Sequence, residues 1–239
     1  MMKFKEWIKE PISVNNIICD CTDPSGFDAD NTIYPLGCAR RFREFANKNN
    51  TDIFTNHPEV NSELLFYCFR SNTDGQRKIA MNKCQLLNKI PIKSRSDYKN
   101  ILDKRYQMKG YGGDDYFKNL GKYKFVISPT GNGQDCYRNY ETWISKGIPI
   151  VEHNEFLAKK YKDLPILWTY DYSEINNDYL NDQYEKFLNK DFDFRRVLLG
   201  HYTPKIQRQI LTISGLPAPV HPTGLRTKQF WKYSDYFKD

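Results

Sequence analysis

The sequence predicts an α/β fold built on a parallel sheet, and three observations in one stretch carry that prediction. Tyr123 to Ser128 is a short apolar run rich in β-branched and aromatic residues, closed by Pro129 and a loop, Thr130-Gly131-Asn132-Gly133, as expected after a buried strand. The period then changes: from Gln134 to Lys146 the large apolar residues Tyr137, Tyr140 and Ile144 recur at helical spacing, with Asp135 in the first turn and Gly147 expected to stop the helix. Ile148 to Val151 reads as a second buried strand. Strand, glycine loop, helix and strand make a βαβ unit, and such units give parallel sheets with right-handed crossovers.

The rest of the chain supplies further elements of the same kind. Asn16 to Cys21 reads as a strand, followed by a long acidic loop, Thr22 to Leu36. Cys38 to Lys48 is expected to be a basic helix and Thr51 to Thr55 a short strand. Glu63 to Phe69 is a strong strand candidate that feeds the polar loop Arg70-Ser71-Asn72-Thr73-Asp74-Gly75-Gln76-Arg77 and a helix to about Leu87. A helix is expected over Tyr98 to Arg105, and Asp115 is placed to cap a short helix, Tyr116 to Leu120. After the central unit come a helix at Phe156 to Lys162, a strand at Ile166 to Thr169, and closing helices at Asp178 to Asn189 and Arg195 to Leu211, the last interrupted at Pro204. The prolines from Leu216 to Pro222 set an extended linker. Three parts follow: residues 1–60 as a reduced N-terminal or acceptor lobe, 61–212 as a Rossmann-like nucleotide-binding domain, and 213–239 as a basic, aromatic tail packing back on it.

Composition bounds the function. The 239 residues suffice for a real core, and 27% charged with 39% hydrophobic residues argues against disorder. The net charge is +7, which suits an anionic ligand without naming one. Between His201 and Asp239 six Lys/Arg face two Asp, so part of the excess lies in a tail that also carries Trp231, Tyr233 and Tyr236. Such a tail could bind a polyanion such as nucleic acid, and packing of its aromatics on the domain is the plainer reading. Six cysteines, Cys19, Cys21, Cys38, Cys68, Cys84 and Cys136, show no paired CxxC spacing, so reduced thiols are expected rather than a zinc site. The start, Met1 to Lys9, alternates charged and aromatic residues, and no apolar run approaches the roughly 20 residues that span a bilayer. A cytoplasmic protein is expected.

Ligands of open α/β sheets bind beyond the carboxyl ends of the strands, which brings Thr130, Gly131, Asn132 and Gly133 to the candidate site. The glycines admit a bulky anion close to the backbone, and the N–H groups of the following helix start favour negative charge. Arg138 and Glu141 lie one helical turn apart: a guanidinium could fork a diphosphate, and a carboxylate could accept from a ribose diol. A surface ion pair is the plain alternative for the two. The loop matches neither the Walker A pattern nor the dinucleotide fingerprint.

Pro129, Gly131, Arg138, Glu141, Gly147 and Ile148-Pro149-Ile150-Val151 resemble the donor-binding half of exostosin-like glycosyltransferases, with their P-x-G loop, R-x-x-E helix and G-x-P-V/I strand. The same stretch is similar to the donor domain of fucosyltransferases, which share the two-domain GT-B architecture. This chain has Cys136-Tyr137 where the exostosin-like pattern often has a small serine before its arginine. The resemblance covers roughly residues 65 to 170. It implies a glycosyltransferase that takes a nucleotide-diphosphate sugar, with UDP-linked donors favoured and UDP-xylose a candidate, and a glycan acceptor. Arg70 and Arg77 match the arginines that this family aims at the donor phosphates, with Ser71 beside them. Arginines can take the place of a metal there, so no cofactor and no metal are expected. Animal relatives in this resemblance are anchored Golgi enzymes, and an unanchored chain suggests a small viral or microbial enzyme.

The acceptor hydroxyl needs a base if configuration inverts, and Asp23 and Asp74, each after an expected strand, are the candidates. His57 is a third choice, though a lone His before Pro58 reads more plainly as a turn residue; His153, just past a strand end, could touch a donor but reads more plainly as a structural histidine. Asp28-Ala29-Asp30 also fits the Asp-x-Asp of metal-dependent GT-A transferases, which is one competing reading, although a solvated acidic loop explains it more simply. The non-enzymatic competitor is a polyanion-binding module built on the tail. The glycosyltransferase reading expects no nucleic acid as partner.

Overall fold

The computed structural model describes residues 1–18, 36–49, 60–68, 113–130, 135–204 and 207. In chain order these form β1 (Met2–Lys3), α1 (Phe4–Trp7), α2 (Arg40–Asn49), β2 (Glu63–Tyr67), α3 (Gly113–Leu120), β3 (Tyr123–Ile127), α4 (Tyr137–Ile144), β4 (Ile148–Glu152), α5 (Glu155–Lys160), β5 (Leu167–Thr169), α6 (Asn177–Leu188) and β6 (Asp191–Phe192).

Four of the strands make a parallel sheet in the order β2-β3-β4-β5, flanked by helices, a Rossmann-like α/β arrangement. Leu65 sits beside Phe125, Phe125 beside Ile148, and Ile150 beside Leu167. Parallel strands covered on both faces read as continuous apolar runs, and Phe125, Val126, Ile127, Ile148, Ile150 and Val151 are all buried. The described strand order does not reverse, so the candidate ligand side is the carboxyl edge as a whole, not a crevice between strands running outward in two directions.

A second, two-stranded sheet joins the chain start to its far end: β1 pairs antiparallel with β6, Met2 beside Phe192. Phe4 then packs edge-on against Tyr184 and Phe192, while Trp7 stacks on Phe194 with ring centres 4.3 Å apart and donates from Nε1 to the Trp143 carbonyl. Residues 1–18 and 36–49 therefore contribute to the same core as the sheet. On α2, Phe42, Phe45 and Ala46 form the buried stripe, and Phe42 meets Phe117 of α3 edge-on.

Several expected elements are corrected. The Asn16 to Cys21 strand is not formed in its described part: Val14–Asn16 is a 3-10 turn and Ile17 makes one antiparallel bridge to Leu198. Asn16 instead turns its side chain to the backbone N–H of Gly200. The closing helix from Arg195 is replaced by two 3-10 turns, Phe194–Val197 and Leu199–His201, because Leu198 between them is extended to meet Ile17. The helix carrying Tyr116 starts earlier, at Gly113, so Asp115 lies inside it and not ahead of it. Thr51–Thr55, Tyr98–Arg105, the helix to Leu87 and the linker Leu216–Pro222 lie outside the described residues.

The central helix is shorter than its apolar period suggests, and its end differs from expectation. The left-handed residue is Lys146, at φ 70°, not Gly147. Gly147 donates to the Thr142 carbonyl and Lys146 to the Trp143 carbonyl, the paired bonds of a Schellman ending. Gly147 is needed for close approach: a Cβ there would lie 3.1 Å from both the Tyr123 carbonyl oxygen and Thr142 Cγ2. Lys146 is wholly buried, with Nζ donating to the Glu10 carbonyl at 2.6 Å and lying 3.9 Å from the centre of the Trp7 ring. This lysine ties the N-terminal segment to the end of the central helix.

Candidate functional site

The carboxyl edge of the sheet brings together the residues that follow each strand: Cys68 after β2, Ser128 to Thr130 after β3, His153 after β4 and Tyr170 after β5. Asp135 and Cys136 lead into α4 at the same edge. Arg138, in the first turn of α4, reaches back across β3 and donates from Nη2 to the Cys68 carbonyl at 3.0 Å, with Nη1 4.0 Å from Cys136 Sγ. The guanidinium thus ties the start of α4 to the end of β2. Burial opposes its charge, but Tyr116, Cys136 and Glu141 together outweigh that cost and raise its pKa, so it stays cationic.

Glu141 sits one turn further in and is 5% exposed. Its Oε1 accepts from the Ala39 N–H at 3.3 Å and its Oε2 from the Tyr116 hydroxyl at 3.1 Å. Ala39 immediately precedes α2, so this carboxylate serves the N-terminal end of a second helix, where negative charge is favoured. Burial pushes the Glu141 carboxyl above its ordinary range, against the pull of Arg138 and of these two donors. Tyr116 is held well above the usual phenol value by burial and by Glu141, and remains a neutral donor.

Asp135 is the centre of a second network. Its carboxylate accepts from the Cys136 N–H at 2.8 Å, from the Tyr140 hydroxyl at 2.9 Å and from the Tyr161 hydroxyl, and pairs with Lys160 Nζ at 2.7 Å. Both charged side chains are at most 5% exposed. Asn139 donates to the Tyr161 hydroxyl, and the Leu36 N–H to that of Tyr140. Burial first and Asp135 second push both phenols well above their usual value, which keeps them donating. Arg196 closes the network from behind by donating to the Lys160 and Lys162 carbonyls at the end of α5. The start of α4, and with it Arg138, is fixed by this cluster. It also explains why the helix begins at Tyr137 and not at Gln134: the Asp135 carboxylate holds the backbone ahead of it.

The other half of the edge is organised by Glu152. Its Oε2 accepts from the Thr130 N–H at 3.2 Å and its Oε1 from the Tyr172 hydroxyl at 2.6 Å, joining the ends of β3, β4 and β5. His153 and Tyr170 lie exposed beyond this tie, and the His153 N–H donates to the Thr169 carbonyl.

Of the residues expected at the site, Thr130, Arg138 and Glu141 are described and lie on or behind this edge. Asp23, Arg70, Ser71, Asp74, Arg77, Gly131, Asn132 and Gly133 lie outside the described residues, as do His57, Asp28 and Asp30. The sequence reading placed the loop Tyr170 to Ser173 at this edge but missed Glu152, Lys160 and Tyr161, and gave Asp135 only the role of a first-turn acid. The available signal was its position two residues after the glycine loop. Among the described residues no group of three His, Cys, Asp or Glu is placed to hold a metal ion, and no helix is long and apolar enough to cross a membrane. Compared with known proteins, the chain matches no family model and no curated relative.

Proposed function

We propose that the chain is a GT-B-like glycosyltransferase that binds a nucleotide-diphosphate sugar at this carboxyl edge and transfers the sugar to a glycan acceptor without a metal. The observation that carries the reading is Arg138, a buried guanidinium that bonds the end of β2 from the first turn of a helix whose start is held by an ion-paired network. A fixed cation there offers a diphosphate leaving group charge stabilisation with little reorganisation. UDP-linked donors, with UDP-xylose a candidate, follow from the resemblance alone. In the transfer, an acceptor hydroxyl attacks the anomeric carbon and the bond from that carbon to the diphosphate oxygen breaks. The nucleoside diphosphate leaves with the electron pair, and the hydroxyl proton passes to a base. Asp23 and Asp74 remain the candidate bases, and Arg70, Ser71 and Arg77 the additional phosphate contacts. We assign the activity to the cytoplasm, the host's if the source is viral.

The test is release of UDP from a panel of UDP-sugars supplied with mixed oligosaccharide acceptors, with and without EDTA. The expected result is release that survives EDTA and drops about 100-fold in Arg138→Gln, the scale of losing one preorganised donor to a transition-state oxyanion. Release that vanishes with EDTA would transfer the reading to a metal-dependent GT-A mechanism.

A further inference from the structure

Three features of the described surface and core stand outside the phosphate clamp: the buried Asp135 cluster, the buried Lys146, and an exposed ring group at the ends of β4 and β5. The last has the form of a binding surface. Tyr170 is 82% exposed, although large aromatic side chains normally bury most of their area. Its ring lies over the exposed imidazole of His153, with centres 5.2 Å apart and planes tilted by 32°, and His153 in turn stands edge-on to Trp168 at 5.6 Å. Neither imidazole nitrogen nor the Tyr170 hydroxyl makes a hydrogen bond among the described residues. The backbone beneath is pinned, because the His153 N–H bonds the Thr169 carbonyl and the Tyr172 N–H bonds Thr169 Oγ1. Tyr172 is buried at φ 63° and anchored on Glu152. An open ring pair on a rigid base, with unused polar atoms at its edge, is how proteins present a stacking face to a planar ring.

Its place in the sheet selects the ring. Arg138 Nη2 binds at the end of β2, whereas His153 and Tyr170 follow β4 and β5, two and three strands away. At 4.7–4.9 Å between neighbouring strands, these offsets are about 10 and 14 Å. That separation matches a nucleotide laid along the edge, its diphosphate at Arg138 and its base at the far end. We propose that the His153–Tyr170 pair is the platform for the heteroaromatic base of a nucleoside diphosphate, with the His153 nitrogens and the Tyr170 hydroxyl facing the polar edge of the base. The proposal rests on the donor-site reading above and adds the residues that would hold the base.

Calorimetric titration of the full chain with UDP, uridine and inorganic pyrophosphate separates the two ideas. Tyr170→Ala and His153→Ala are exposed changes that leave the core intact. Each should weaken UDP and uridine about tenfold, the scale of one lost stacking contact, and leave pyrophosphate affinity unchanged, while Tyr170→Phe, which keeps the ring and loses the hydroxyl, should bind more tightly than Tyr170→Ala and less tightly than the parent. If both alanine variants bind UDP as the parent does while Arg138→Lys binds it more weakly, the platform is wrong and the donor site stands. Loss of oligosaccharide binding in Tyr170→Ala with UDP affinity intact would assign the rings to a sugar and overturn the base assignment. If the parent binds none of the three ligands, the donor-site reading falls and the platform with it.

Discussion

Asp135→Ala is expected to lower the free energy of unfolding by about 3–5 kcal/mol, because it leaves the Lys160 ammonium buried without its counter-charge. The same change orphans two buried phenol hydroxyls and the N–H that opens α4. Lys160→Ala should be costly for the mirror-image reason. Asp135→Leu combined with Lys160→Met should recover much of the loss, since a buried ion pair replaced by apolar groups of similar size is often close to neutral. Urea unfolding of the parent, Asp135→Leu, Lys160→Met and the double variant measures this as a coupling between the two sites. Additive losses in the double variant would show that the pair does not act as a unit. Because Asp135 holds the backbone that opens α4 three residues before Arg138, the single Asp135 variant should also bind nucleotide more weakly than its stability loss alone explains.

Lys146 should make stability rise steeply with pH. Burial pushes its ammonium down to about 7 from an ordinary value near 10.5, partly opposed by the Glu10 carboxylate. Between these values the unfolded chain holds the proton and the folded chain does not, so unfolding takes up a proton and raising the pH favours the fold. The penalty is complete below the folded value, shrinks through the window, and is gone above the unfolded value. From about pH 7 to 9.5 the group contributes about 3 kcal/mol of added stability, at 1.36 kcal/mol per pH unit with rounding at the lower end. Lys146→Met keeps the length of the side chain and removes the titration. Chemical denaturation at several pH values should therefore show a flatter profile in the variant. An unchanged slope would mean that the Trp7 ring and the Glu10 carbonyl hold the ammonium charged throughout.

The sheet was legible because its strands are buried on both faces and so spell out as apolar runs, and the switch to helical spacing after Pro129 marked the crossover. What the period could not show was where the central helix ends. One boundary is set by a carboxylate bonding its own backbone at Asp135, the other by a lysine, not a glycine, in the left-handed position. The small sheet of β1 and β6 was invisible for a different reason: two-residue strands carry no alternation, and the pairing joins the chain start to residues near position 190. The candidate site was half legible. Arg138 stood out by its spacing from Glu141, but that spacing suggested a diphosphate fork with a ribose acceptor beside it, or a surface ion pair, whereas Glu141 accepts from Tyr116 and from the N–H ahead of α2. Lys160 and Tyr161 resembled an ordinary polar helix end, since their partner Asp135 lies 26 residues before Tyr161 and only the fold brings them together.

The central claim is that the carboxyl edge binds a nucleoside diphosphate through Arg138, and a thermal-shift titration with UDP and GDP, with and without EDTA, on the parent protein and Arg138→Lys tests it most directly. A nucleotide at 100 times its dissociation constant should add about 2.7 kcal/mol to the stability of the parent. The account predicts stabilisation by UDP that survives EDTA and is largely lost in Arg138→Lys, which keeps the charge but not the fork. No stabilisation of the parent by either nucleotide at millimolar concentration would contradict it and move the polyanion-binding reading to the front.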